Sequence, residues 1–235
     1  MSSTNPMSNL IIALLNRVAE MIPDSLVEAA DGVIDFAVVR LFGLPFIVLG
    51  YRQTGKTTLL QWLQDRPHLA EFSPEPTAAG GEAVLPFTKR VDDERMRLRP
   101  MRDVGGEYAM WETDWVDLLK NVRPRGIIFM IDHDHPYHHK DALNFVLQMI
   151  DENVFSTQQL KYFMLLANKA DLWADEMTLD ELMDDFRNET RRLKSQSERI
   201  GYGFSIEQTS LVTGEGVEEA MVTFFNAIRP RSAVR

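Results

Sequence analysis

The stretch Phe46-Ile-Val-Leu-Gly50-Tyr-Arg-Gln-Thr-Gly55-Lys56-Thr57 decides the fold. Its four leading apolar residues read as a short buried strand, and Thr57 to Gln64 read as a helix. The loop between them therefore has the form G-x-x-x-x-G-K-[ST] in the strand–loop–helix setting that this pattern requires. Glycines at both ends let the backbone wrap closely around phosphate oxygens, and successive N–H groups together with the helix N-terminus meet their negative charge. Gly50, Gln53, Thr54, Gly55, Lys56, Thr57 and Thr58 are the expected phosphate-binding residues. Lys56 adds a point charge on the β- and γ-phosphates, and the Thr57 hydroxyl is a suitable ligand for Mg²⁺, which uses few protein oxygens.

Outward from this loop the chain alternates strand with helix. Ala83 to Val91 and Met96 to Val104 read as strands joined by a turn at Asp92-Asp93-Glu94, with Pro100 an awkward guest in the second because it cannot donate to a ladder. Helices are expected over Glu107–Val122, Lys140–Glu152, Thr178–Ser197 and Val217–Ile228, and strands over Gly126–Ile131, Tyr162–Ala167 and Phe204–Gln208. Alternation with nearly continuous apolar strands predicts an α/β fold, a mostly parallel six-stranded sheet with helices on both faces. Ligands of such sheets bind at the carboxyl ends of the strands.

Two further motifs fall on that edge. Asn168-Lys169-Ala170-Asp171 follows the strand Tyr162–Ala167. A carboxylate at Asp171 can accept both N1–H and the exocyclic amine of guanine, whereas adenine offers no N1–H, so hydrogen-bond polarity discriminates the bases. Asn168 is placed to buttress the loop and the stem of Lys169 to cover the base. Asp103-Val-Gly-Gly106-Glu107 closes another strand: Asp103 can hold Mg²⁺ directly or through water, and Gly106 can offer its backbone N–H to a γ-phosphate.

Bulk properties narrow the classes. The 235 residues carry a formal charge of −10, which disfavours nucleic acid as a partner and attachment to anionic lipid by charge alone. There is no cysteine, so disulfides, thiolate metal sites and cysteine lipidation are excluded, and Ser2 excludes N-myristoylation. With no secretory signal and no apolar run long enough to span a bilayer, a cytoplasmic protein is expected, at most peripheral at a membrane.

Taken together, Gly50 to Thr58, Pro76-Thr77, Asp103 to Glu107, Asn168 to Asp171 and Thr209-Ser210-Leu211 resemble the small GTPases, and within them the Arf-like branch that includes the β subunit of the signal-recognition-particle receptor. The double Thr after Lys56, the D-V-G-G core and the helix carrying Trp111 and Trp115 favour that branch over the Ras-like one. The resemblance covers about Phe46 to Ile228. It implies the P-loop GTPase fold and a GTP/GDP switch with Mg²⁺, attended by effector, exchange-factor or GTPase-activating partners. It implies that Thr77 is a switch residue reaching Mg²⁺, so that Thr57, Thr77 and Asp103 are the expected metal ligands, and that Ser210 and Leu211 lie against guanine.

The sequence departs from the family at two catalytic places. Glu107 stands where the family usually has Gln to orient the attacking water; a carboxylate accepts from water but cannot donate, which predicts slow hydrolysis. Arg52 is a candidate arginine finger in cis beside the catalytic Lys56, although a solvated or partner-facing role is the preferred reading. The domain plan is an amphipathic helical extension over 1–43, the GTPase domain over 44–230 and a tail over 231–235. Leu10 to Ile22 and Leu26 to Leu41 give apolar helical faces, but their charged residues are mostly acidic, so packing on protein is favoured over membrane insertion of residues 9–22. His133, His135, His138 and His139 read as a solvated loop rather than a metal site, and the charges of Thr178–Ser197 as a solvated face. Three functions stay open: a hydrolysing GTP switch, a GTP-dependent binding or scaffold protein, and a P-loop ATPase.

Overall fold

The computed structural model describes residues 39–65 and 81–230. Phe42–Arg229 forms one compact unit, and the elements below belong to it. The expected helix over Leu10 to Ile22, most of the next one, Pro76, Thr77 and the tail over 231–235 lie outside the described residues.

The strands are β1 (Leu44–Gly50), β2 (Glu82–Val84), β3 (Phe87–Val91), β4 (Glu94–Arg99), β5 (Met101–Asp103), β6 (Gly126–Ile131), β7 (Tyr162–Ala167) and β8 (Gly203–Gln208). The main sheet has six strands in the order β3-β4-β1-β6-β7-β8. All neighbours are parallel except the β3–β4 hairpin. Every residue of β1 and β6 is buried, as continuous apolar runs are when helices cover both faces.

The helices are α1 (Lys56–Leu63), α2 (Tyr108–Met110), which runs through a π-turn at Trp111–Trp115 into α3 (Val116–Val122), α4 (Pro136–Asp151), α5 (Ala170–Trp173), α6 (Leu179–Asp184), α7 (Arg187–Ile200) and α8 (Val217–Ile228). Side-chain alternation along β1 sorts the two faces. Ile47 and Leu49 join a core with Trp115, Leu119, Leu143, Val146 and Leu193. On the other face Phe46 meets Phe224 and Phe225 of α8 edge-on, with ring centroids 6.0 and 5.3 Å away, a geometry worth about 0.5–1.5 kcal/mol per pair beyond burial.

Five expectations change. The strand expected over Ala83–Val91 is interrupted at Leu85-Pro86, where Pro86 has no N–H to donate; β2 leaves the main sheet and pairs antiparallel with β5. The strand expected over Met96–Val104 breaks at Pro100 for the same reason. The single helix over Thr178–Ser197 is two helices. Thr178 caps α6 through a capping box with Glu181, and the chain leaves helical geometry at Phe186 (φ −103°, ψ 18°), whose ring is fully buried. The charges of α7 are not merely solvated: Arg192 and Arg199 both reach Asp151 of α4, Asn144 donates to the buried Glu189 at 2.7 Å, and Gln196 donates to the Leu147 carbonyl at 2.7 Å. Finally, α4 begins at Pro136, so His138 and His139 are helical and His139 is buried.

Candidate functional site

Gly50, Asp103, Asp132, Asn168 and Thr209 stand at or just beyond the carboxyl ends of β1, β5, β6, β7 and β8, so the loops singled out by motif gather on one edge. The phosphate loop turns there through positive φ at Gly50 (149°), Gln53 (61°) and Gly55 (100°). Glycine is required at both ends for more than its φ: a Cβ on Gly50 would lie 2.4 Å from the Met130 carbonyl oxygen, and one on Gly55 would lie 2.6 Å from Asn168 Nδ2. Thr54 is buried and donates through its hydroxyl to the Tyr51 carbonyl at 2.9 Å. The α1 helix starts directly at Lys56, with Leu59 N–H donating to the Gly55 carbonyl. Thr57 and Thr58, half-buried, follow on its first turn.

Lys56 folds back over the loop. Its ammonium donates to the Gly50 carbonyl at 3.0 Å and the Tyr51 carbonyl at 2.9 Å. Burial lowers its pKa to about 8, opposed by the negative charge of nearby Asp103. A buried ammonium bonded to carbonyl oxygens beside a carboxylate is a strong counter-ion for an incoming phosphate. Arg52 is exposed and its guanidinium lies 5.6 Å from the centre of the Tyr51 ring.

The second motif is joined to the first by direct hydrogen bonds. Buried Asn168 donates through Nδ2 to the Thr54 carbonyl at 2.8 Å, and its Oδ1 accepts from Leu211 N–H at 3.2 Å and from the Thr209 hydroxyl at 3.4 Å. One side chain thus fastens the phosphate loop, the N-K-x-D loop and the Thr209-Ser210-Leu211 loop together. Asp171 is exposed and accepts from the buried Ser210 hydroxyl at 2.5 Å. Leu211 is buried, with its Cδ1 3.1 Å from where a Cβ on Gly55 would lie, and its N–H donates to Asn168. Lys169 adopts a left-handed backbone (φ 63°) and its ammonium is 2.6 Å from Asp132 Oδ2.

The third motif presses on the first. A Cβ on Gly106 would come within 2.4–2.5 Å of Gly50 O, Arg52 N and Tyr51 C, all of them backbone atoms of the phosphate loop. Asp103 and Gly106 are buried, while Glu107 is exposed at the start of α2.

A model of the ADP-ribosylation factor family matches residues 42–228. The chain belongs to this family. Among curated proteins it is similar to "Intraflagellar transport protein 22" of Chlamydomonas reinhardtii, with 28% identity over 128 residues, which cover 54% of this chain and 64% of that relative. The small-GTPase switch and guanine-nucleotide binding are properties shared within that family, and the sheet order agrees with its fold.

Two features of this Arf-family chain go beyond its motifs. The indoles of Trp111 and Trp115 stack with centroids 5.4 Å apart, and they donate to the Gly106 carbonyl at 3.1 Å and the Gly105 carbonyl at 2.9 Å. Buried indole N–H groups need acceptors, and here both are spent on the double glycine. The π-turn over Trp111–Trp115 carries both rings, and such turns recur at functional sites. The other feature is His139, which lies against Asp132. Its position was legible: with a helix starting at Pro136, a favoured first residue, His139 falls in register with Ala142, Leu143 and Val146 on the apolar face. Among the described residues no three His, Asp or Glu side chains stand close enough to form a metal site by themselves.

Proposed function

We propose that the chain is a guanine-nucleotide switch that binds GTP and GDP with Mg²⁺ and hydrolyses GTP slowly, with partners such as effectors, exchange factors or activating proteins setting its state. The observation that carries this reading is the Asn168–Thr54 hydrogen bond. It holds the phosphate loop and the candidate base-reading loop as one unit, so that a single ligand can span both.

In this reading the cradle from Gly50 to Thr58 holds the phosphates, Lys56 neutralises the β- and γ-phosphates, Asp171 reads guanine, and Ser210 orients Asp171. The hydroxyl of Thr57 and the carboxylate of Asp103 are hard oxygen donors beside the buried Lys56, the donor chemistry that Mg²⁺ prefers. They would hold the ion, joined by Thr77, and the bound ion would neutralise phosphate charge. Gly106 faces the γ-phosphate position, and Glu107 stands next to it as the residue meeting the attacking water. Its side chain is exposed and acidic, which places negative charge near a negatively charged reaction centre and lacks the amide donor of Gln.

Glu107→Gln is therefore expected to speed single-turnover GTP hydrolysis, by roughly 10-fold, because a Gln amide can orient the attacking water without adding negative charge; an unchanged rate would remove Glu107 from catalysis. Arg52→Ala is expected to leave the rate within about twofold, since an exposed Arg stacked over Tyr51 adds little in high dielectric. A large drop would assign it the arginine-finger role instead.

Binding of labelled GTP, GDP and ATP with Mg²⁺, followed by single-turnover hydrolysis, tests the reading as a whole. Preference for ATP would overturn it. Tight GTP without turnover would select the scaffold reading instead. By likeness to the Chlamydomonas protein, a role associated with intraflagellar transport is proposed for the cellular setting, with the chain cytoplasmic or peripheral at a membrane.

A further inference from the structure

The N-K-x-D loop is anchored to more than Asn168. The Asp132 carboxylate is buried at the end of β6, where burial alone would raise its pKa; hydrogen bonds from His139 and Lys169 hold it below the ordinary value instead. Its Oδ2 takes the Lys169 ammonium at 2.6 Å, and its Oδ1 takes His139 Nε2 at 3.0 Å and Asp134 N–H at 3.0 Å. His139 Nε2 also meets the Asp134 carbonyl at 2.8 Å. Both partners of that nitrogen are acceptors, so Nε2 carries the hydrogen. The ring is buried on α4, and the Tyr51 ring of the phosphate loop packs edge-on against it with centroids 5.7 Å apart.

Tyr51, His139, Asp132 and Lys169 thus form a continuous chain of contacts from the flank of the phosphate loop to the loop that would cover the base. Lys169 has a flexible four-carbon stem, and a free ammonium would sample many rotamers. Bonded to one oxygen of a carboxylate that is itself held from the other side, the stem keeps a single course. From this geometry we infer that His139 and Asp132 are positioning residues for nucleotide retention: His139 orients Asp132, Asp132 fixes Lys169, and Lys169 stays across the base site. The inference rests on the guanine-nucleotide reading above.

Two readouts on the full chain test it. The first needs no nucleotide: amine acetylation of Lys169, scored by mass spectrometry against Lys140, whose side chain is comparably exposed (29% against 30%). The second is dissociation of a fluorescent GDP analogue. His139→Leu is expected to raise both Lys169 labelling and the dissociation rate by about fivefold, the size of one lost hydrogen bond. His139→Gln, which restores an N–H donor, is expected to stay within about twofold of the parent. Asp132→Asn should reproduce the His139→Leu phenotype, and adding His139→Leu to it should change neither readout further.

If His139→Leu fails to fold, the glutamine variant and Asp132→Asn still decide. Parental labelling and dissociation in Asp132→Asn would overturn the inference, as would a His139→Leu effect that persists undiminished in the Asp132→Asn background. Tight parental GDP binding with unchanged dissociation in the variants overturns this inference alone. A parent that binds no guanine nucleotide overturns the reading beneath it and the retention role together.

Discussion

Asp171→Asn is expected to weaken GDP and GTP binding by roughly 10²- to 10³-fold while improving binding of xanthine nucleotides. A carboxylate has about four acceptor positions; Ser210 occupies one from its buried hydroxyl, and the exposed remainder faces the ligand edge. Guanine presents two donors, N1–H and the exocyclic amine, and an ionised carboxylate satisfies both. An amide in the same place must turn a donor toward one of them, and facing two donors costs more than an absent bond. Xanthine carries a carbonyl where guanine has the amine, so the amide's donor finds an acceptor there. Competition of GDP, XDP and ADP against a labelled nucleotide measures the switch directly. Unchanged GDP affinity in the variant would mean that Asp171 does not read the base and would reopen the ATPase reading. Ser210→Ala serves as the companion variant, since it removes only the restraint on the carboxylate and is expected to cost about 1 kcal/mol, or roughly fivefold.

Much of this site was legible in the chain because its chemistry is carried by local motifs on strand ends. Gly50 to Thr57 encodes its own context: an apolar run, two glycines whose positive φ and close neighbours would strain any side chain, and a helix-starting Lys-Thr. The same holds for Asn168 to Asp171, which follows the last apolar residue of β7 immediately. What escaped were relations between segments far apart in sequence. That Asn168 donates to Thr54 across 114 residues, or that Gly106 rests on Gly50 and Arg52, depends on how strands are ordered in the sheet, and no local pattern states it. The breaks at Pro86 and Pro100 were half visible: a Pro weakens a strand, but where the ladder resumes depends on which neighbour is available, and here β2 takes β5 rather than the main sheet.

The misread helices show the same limit from the side of burial. Thr178 to Ser197 has helical composition throughout, and the break between α6 and α7 falls at Phe186, whose side chain is fully buried. Its charges looked solvated because periodicity cannot report what lies opposite; α4 supplies Asp151 and Asn144 as partners. His139 was the costliest miss. Four histidines within seven residues suggest a polar loop, yet Pro136 starts a helix and His139 is fully buried, against a carboxylate that the base loop also uses.

Gly106→Ala is expected to produce the largest effect on the link between nucleotide state and conformation. The added Cβ would stand 2.4–2.5 Å from three backbone atoms of the phosphate loop. Backbone cannot yield as a side-chain end does, so either the phosphate loop or the double-glycine loop must shift. Any shift of the double glycine strains or breaks the bonds by which Trp111 and Trp115 hold its two carbonyls, and both indoles are buried in the core. Overpacking of this kind costs about 1–3 kcal/mol, read as a fall in Tm of about 2–4 °C per kcal/mol for a domain of this size. The functional consequence follows from the same contact. If Gly106 must approach the γ-phosphate to distinguish GTP from GDP, a loop displaced by the Cβ loses that approach. The variant should then bind GTP no more tightly than GDP and show no difference in intrinsic tryptophan fluorescence between the two states. The parent is expected to show one, since Trp111 and Trp115 donate directly to the moving peptides. A variant that keeps the parental fluorescence difference between GTP and GDP would show that the double glycine is packing alone, and that the γ-phosphate is sensed elsewhere on the strand edge.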